Sequence, residues 1–235
     1  MNRERAQSTV VGVALLLAVT TVSLSLLTAS AGTVVEEQVA TATADRATDA
    51  VTGVLEPEGT TGRVAVGNGR FGERERTVRL VNDSGVVAAR NVSALVYEQR
   101  DRRVTYLVGG AVRGAPDAAT FAADPAIRTG DGALLLSVTD PEIRRGAPRR
   151  DASGAATIER TNATHARSRF PADEYGVAVE TATPGPWDEY FRAANATTTR
   201  RDFDGDGVPS VVAAFPGQRE AYLVVHRVRL EVRDG

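Results

Sequence analysis

The chain has 235 residues, 42% hydrophobic and 25% charged, proportions that exclude collagen-like, low-complexity and wholly disordered chains. Its 28 basic and 30 acidic side chains nearly cancel, at −2, so no basic excess marks a nucleic-acid binder. Cysteine is absent and histidine occurs only as His165 and His226, which removes thiol catalysis, cysteine-based metal centres, disulfides and most histidine-rich sites.

From Ala6 to Val35 no residue is charged, and the centre runs Val10-Val11-Gly12-Val13-Ala14-Leu15-Leu16-Leu17-Ala18-Val19. About 20 apolar residues let a helix cross ~30 Å of hydrocarbon. Arg3 and Arg5 precede the run and Glu36 and Glu37 follow it. Basic flanks stay cytoplasmic, so the expected topology is single-pass in the cell membrane, N-terminus inside and C-terminal body outside, in contact with lipid. The length favours a retained transmembrane helix over residues 7–35. A secretory signal cut after Ala29-Ser30-Ala31 has a shorter apolar core, and a buried core helix is disfavoured because no polar face appears over about six turns. Thr33 to Leu55 keeps apolar residues at helical spacing, so residues 36–57 read as a helical stalk, stopped where Pro57 pushes Glu56 out of the helical region.

Arg5-Ala6 followed by Gln7-Ser8-Thr9-Val10-Val11-Gly12 and then the apolar run resembles the leader of archaeal type IV pilin-like and archaellin-like proteins, particularly those of haloarchaea. The resemblance implies a class III signal peptide: residues 1–6 are a leader, cut between Ala6 and Gln7 by a prepilin peptidase, and the helix stays on the mature protein to meet other pilin-like subunits. Val11 stands where bacterial pilins carry an acid. The remainder is similar to haloarchaeal proteins with this leader at Thr181-Ala182-Thr183-Pro184, at Trp187-Asp188-Glu189-Tyr190-Phe191, at Asp202 to Gly207 and in the Val-rich ending from Leu223 to Val232.

From Arg63 the period changes to two, which predicts strands. They fall at Arg63 to Val66, Thr77 to Val81, Val92 to Tyr97, Val104 to Val108, Ala133 to Val138, Ala155 to Arg160, Thr164 to Phe170, Tyr175 to Thr181, Ser210 to Phe215 and Ala221 to Val232. Arg113 to Gly132 reads as a loop, and Ile143 to Gly154, with Arg144, Arg145, Arg149 and Arg150, as a solvated turn. Pro186 near the start of Trp187 to Ala194 predicts one short helix. The expected class is α+β: a long N-terminal transmembrane helix, then a mainly antiparallel, sandwich-like extracellular domain over 58–235 with one short helix.

The sharpest chemical motif is Asp202-Phe203-Asp204-Gly205-Asp206-Gly207. Carboxylates at i, i+2 and i+4 converge, and the spacing matches the first half of a calcium loop, with the Val208 carbonyl at the seventh position. Ala213 replaces the bidentate Glu at the twelfth, so a complete EF-hand is excluded. A partial Ca²⁺ loop, completed by Glu220 or another acid, competes with a plain Asp/Gly hairpin turn. Four of the six asparagines, Asn82, Asn91, Asn162 and Asn195, begin Asn-x-Ser/Thr, the glycosylation pattern of an external surface; Asn91 opens a strand and has a structural reading too. His165 and His226 read as packed or solvated singles. Gly67 to Gly72 reads as a turn rather than a phosphate loop. Trp187, Tyr190 and Phe191 seal a core edge, and Ser137, Ser153 and Ser210 show no elbow motif or histidine partner. The expected function is a membrane-anchored, externally exposed, pilin-like structural and adhesion protein without catalysis. The alternatives are a membrane-anchored binding module that never polymerises and, further off, a metal-dependent hydrolase built on the Asp loop.

Overall fold

The computed structural model describes residues 45–55 (apart from 47 and 50), 63–65, 70–99, 102–130, 132–145 and 156–234. The chain divides into two compact units, Met1–Ala42 and Thr43–Gly235, and every described residue belongs to the second. The expected leader (1–6), with Arg5, Ala6 and Gln7, and the expected membrane segment (7–35) lie outside the described residues, as does most of the Arg149 and Arg150 turn.

The described residues are mostly β with two α-helices, which corrects the expected α+β class. The long apolar N-terminal helix of that expectation is not found among the described residues, where no helix is long and apolar enough to cross a membrane. Residues 45, 46, 48, 49 and 51–55 form helix α1. The strands are β1 (Arg63–Ala65), β2 (Arg70–Asn82), β3 (Gly85–Gln99), β4 (Arg102–Leu107), β5 (Gly110–Arg113), β6 (Thr120–Ala123), β7 (Ile127–Gly130), β8 (Ala133–Arg145), β9 (Ala156–Asp173), β10 (Gly176–Glu180), β11 (Thr197–Arg201), β12 (Ser210–Ala214) and β13 (Arg219–Asp234), and α2 (Pro184–Ala193) lies between β10 and β11. Two sheets result, one ordered β1-β9-β13-β8-β7 and one ordered β11-β12-β10-β2-β3-β4-β5-β6. The expected antiparallel layout holds except at the centre of the first sheet. There β13 runs parallel to β8, from Glu220↔Ala133 to Val232↔Arg145, and antiparallel to β9 on its other edge.

Alternation builds two cores from these long strands. On β3, Val92 and Ala94 join the first core and Leu95 and Tyr97 the second. On β13, Ala221, Leu223 and Val225 face the first, and Val228 and Leu230 the second. Successive side chains of a strand point to opposite faces, so each long strand gives one face to each core. Trp187 and Phe191 of α2 close the first core, and Val51, Val54 and Leu55 of α1 close the second, each nearly inaccessible to water. The expectation that the aromatic cluster seals a core edge holds, with Phe121 edge-on to Trp187 at 5.1 Å between centroids.

Where a neighbouring strand stops, a carboxylate takes over the free edge. Asp140 Oδ1 on β8 accepts the Ser93 amide N–H of β3 (3.0 Å), and Glu73 Oε1 on β2 accepts the Ile143 N–H of β8 (3.0 Å). Buried backbone donors must be paired, and these two bonds stitch one sheet to the other. Turns follow local chemistry. Asn82 Oδ1 accepts the Ser84 N–H (3.0 Å) at the β2–β3 hairpin, an Asx turn. Val108 (φ 53°) and Gly109 (φ 75°) make the two-residue β4–β5 turn. Both need positive φ, and Val108, fully buried, is held there by the core.

Residues 113–132 are not the expected loop: they hold a 3₁₀ turn (Pro116–Ala118), β6 and β7. Their Ala/Pro-rich composition conceals four-residue strands that exist only because β5 and β8 pair with them.

Candidate functional site

Strands β11 and β12 are paired from Thr197↔Ala214 to Arg201↔Ser210, and the Asp motif is the loop that joins them. Gly205 (φ 76°) and Gly207 (φ 83°) supply the left-handed positions that curl the loop inward. Asp202 is its anchor: Oδ1 accepts the Gly205 N–H (2.8 Å) and Oδ2 the Gly207 N–H (3.0 Å). These amide bonds hold its carboxyl below the usual range. Asp206 Oδ1 accepts the Val208 N–H (2.8 Å). Asp202, Asp204 and Asp206 are exposed, and each offers an oxygen within 4.8 Å of the others, a spacing that a hard divalent cation bridges with oxygen ligands. Glu220 does not complete this shell. It lies on β13, pairs with Arg169 and accepts the Tyr222 hydroxyl (2.6 Å), so its carboxylate is already committed in the other sheet.

Beneath the loop runs a charge network that sequence reasoning missed. Arg79 on β2 donates to Asp204 Oδ2 (3.3 Å) and to Ser210 Oγ (3.3 Å) and lies 3.8 Å from Glu180 of β10. Glu180 also accepts the Thr77 N–H (3.2 Å) and lies 3.6 Å from Arg76. Arg79 and Arg201 each stand 4.6 Å from the centre of the Phe203 ring, a cation–π clamp on the loop. Burial, and then the Asp204 charge, push the Glu180 carboxyl above its ordinary range. The register Glu180↔Ser210 and Ala178↔Arg79 places these groups together. No local motif announces an alliance of residues 79, 180 and 204.

The histidines are not singles. His165 and His226 are Cα partners across β9 and β13, with their Nδ1 atoms 2.6 Å apart, and His226 Nε2 lies 2.9 Å from Ser137 Oγ of β8. Ser137 therefore has the histidine partner its local sequence does not reveal. Burial, then His165 and Arg160, depress the His226 pKa.

The four sequon asparagines divide by chemistry. Asn82 donates to Asp173 (2.7 Å) and Asn91 to Glu75 (2.8 Å), which ties both amides to neighbouring carboxylates. Asn162 is exposed on β9. Asn195 (φ 62°) follows α2, where its N–H reaches Arg192 O (3.0 Å) and the Ala196 N–H reaches Phe191 O (2.9 Å). That is the Schellman ending of a helix, for which Asn is favoured, so Asn195 has a structural reason to be present apart from any glycan.

Arg79→Ala removes the cation shared by Glu180 and Asp204 and is expected to destabilise the fold by about 3 kcal/mol, measured by denaturant unfolding at pH 7. The folded pKa of Glu180 is raised, so the folded state holds that proton more tightly than the unfolded one. The deficit of the variant should shrink as pH falls through the raised value; a deficit independent of pH would contradict the role given to Glu180.

Residues 5–231 match a family described as "Family of unknown function (DUF7289)". No curated protein and no solved structure matches the chain. Since the match spans nearly all of its 235 residues, the protein belongs to DUF7289.

Proposed function

We propose that this protein is a membrane-held, pilin-like subunit whose β-domain stands outside the cell and does structural and adhesive work. The observation that carries the reading is the uncharged run from Ala6 to Val35, preceded by Arg3 and Arg5, followed by Glu36 and Glu37 and continued by a domain made mostly of strands. The run partitions into lipid because apolar surface leaves water, at about 25 cal/mol per Å². The Arg flank sets the inside end. Prepilin peptidase acts between Ala6 and Gln7, and other subunits pack against the same apolar run; nucleic acid is not a partner. The rest of the surface suits a life in water. Among the described residues only Val86, Val87 and Leu135 are large, apolar and exposed, and single residues of that kind are normal on a soluble surface. Asn162, exposed on its strand, is the sequon best presented to a glycosyl carrier.

The Asp loop serves this role as a calcium site that stiffens the β11–β12 tip. Asp202 and Asp206 are already oriented by backbone amides, so an ion meets carboxylates that need little reordering. Calcium stabilises the folded form by mass action when it binds that form alone.

Replacing Leu16 with Asp puts a charge in the middle of the run, which is costly in a membrane. The variant is expected in the soluble fraction of cells in which the parent sediments with membranes, and retention of the variant would count against the tether. In calorimetric titration the parent chain is expected to take up one Ca²⁺ and Asp206→Asn to bind at least tenfold more weakly. Equal binding by both, or none by the parent, would remove calcium from the account.

A further inference from the structure

The His165–His226 pair has no place in the adhesive reading, which asks no chemistry of it. The two rings come from neighbouring strands of the first sheet, directly opposite in register. Their centroids are 4.8 Å apart and nearly perpendicular, and the same nitrogen of each, Nδ1, points at the other. Directly paired side chains in an antiparallel ladder have Cβ atoms about 5 Å apart, so the strands hold both imidazoles at one spot without help from a loop. His165 is exposed and His226 half-buried, which leaves a route in from solvent.

Ser137 completes the arrangement. Its Oγ lies 2.9 Å from His226 Nε2 and can accept that N–H, which leaves the Nδ1 lone pair of His226 free. Metal-binding histidines are characteristically held this way, with the second ring nitrogen donating to an oxygen that sets the tautomer and the ring angle. Burial, then the His165 and Arg160 charges, disfavour the His226 imidazolium, and the neutral ring is the form that ligates. The Arg160 charge acts on His226, and Arg167 stands two residues along β9 from His165, opposite Val224. They disfavour a hard cation held by charge alone. Neutral nitrogen ligands instead suit the later first-row ions, for which copper stands highest.

We propose that His165 Nδ1 and His226 Nδ1 together bind one divalent late transition-metal ion, Cu²⁺ most tightly, with Ser137 as the residue that positions His226. At metal–nitrogen distances of about 2.0 Å the two nitrogens sit about 3 Å apart, so the rings part by a few tenths of an ångström. His165 carries its proton on Nε2 and His226 keeps its own on Nε2 toward Ser137. No proton leaves the pair, and water fills the remaining positions.

The test is titration of the full-length protein with CuCl₂, followed by electron paramagnetic resonance. The expected result is one Cu²⁺ per chain with a two-nitrogen signature. His165→Ala, at an exposed position, should fold as the parent does by circular dichroism and lose at least tenfold in affinity. Ser137→Ala should lose about 10- to 100-fold, with recovery in Ser137→Thr, which restores the hydroxyl. Absence of saturable binding by the parent, unchanged uptake in His165→Ala, or uptake lost in Asp204→Ala but not in His165→Ala would overturn the proposal. The last of these would assign the copper to the Asp loop.

Discussion

The described domain depends on β13 being paired along both edges while it faces a core on both sides. Its parallel ladder with β8 and antiparallel ladder with β9 satisfy its backbone groups, and its alternation sends Leu223 and Val225 into one core and Val228 and Leu230 into the other. A slip of one residue would exchange every side chain between the two faces and put arginines such as Arg227 and Arg229 into apolar cores. Two cores reading opposite parities of one strand make such a slip doubly unfavourable. The same register sets His226 opposite His165 and diagonal to Ser137, so the metal proposal inherits its geometry from the packing of the fold.

Polar groups finish what the ladders leave open. Asp140 and Glu73 close strand edges between the sheets. On the second sheet, Arg79 sits under the Asp loop and serves Glu180 and Asp204 together. That sharing has a consequence for the loop. Arg79 already relieves part of the repulsion among the three aspartates by pairing with Asp204. Burial makes the Arg79–Glu180 contact expensive to break without making it a large source of net stability. Its service is to aim Asp204.

What the sequence revealed followed from how local each signal is. Period-two runs at Thr77 to Val81, Val92 to Tyr97 and Ala221 to Val232 marked strands, because alternation is printed in consecutive residues. Their full lengths did not show, since Arg74, Arg76 and Glu73 break the pattern while their backbone stays in the ladder. The parallel β8–β13 pair, the strands in residues 113–132 and β11, with its run of Thr and Arg, exist through partners far away in sequence. The Asp loop was legible because its aspartates sit two residues apart. Arg79 and Glu180 were not, and neither was the histidine pair, whose members are distant until β9 and β13 are in register. Asn195 shows the opposite failure: a visible glycosylation pattern on a residue that a helix end also requires.

The proposed attachment of this domain to a membrane runs through its uncharged N-terminal run, with cleavage directly before that run. N-terminal sequencing of the protein recovered from its native membranes tests the claim most directly. A chain that begins at Gln7 is the predicted result. A chain that begins at Gly32 and is recovered from the medium would contradict it.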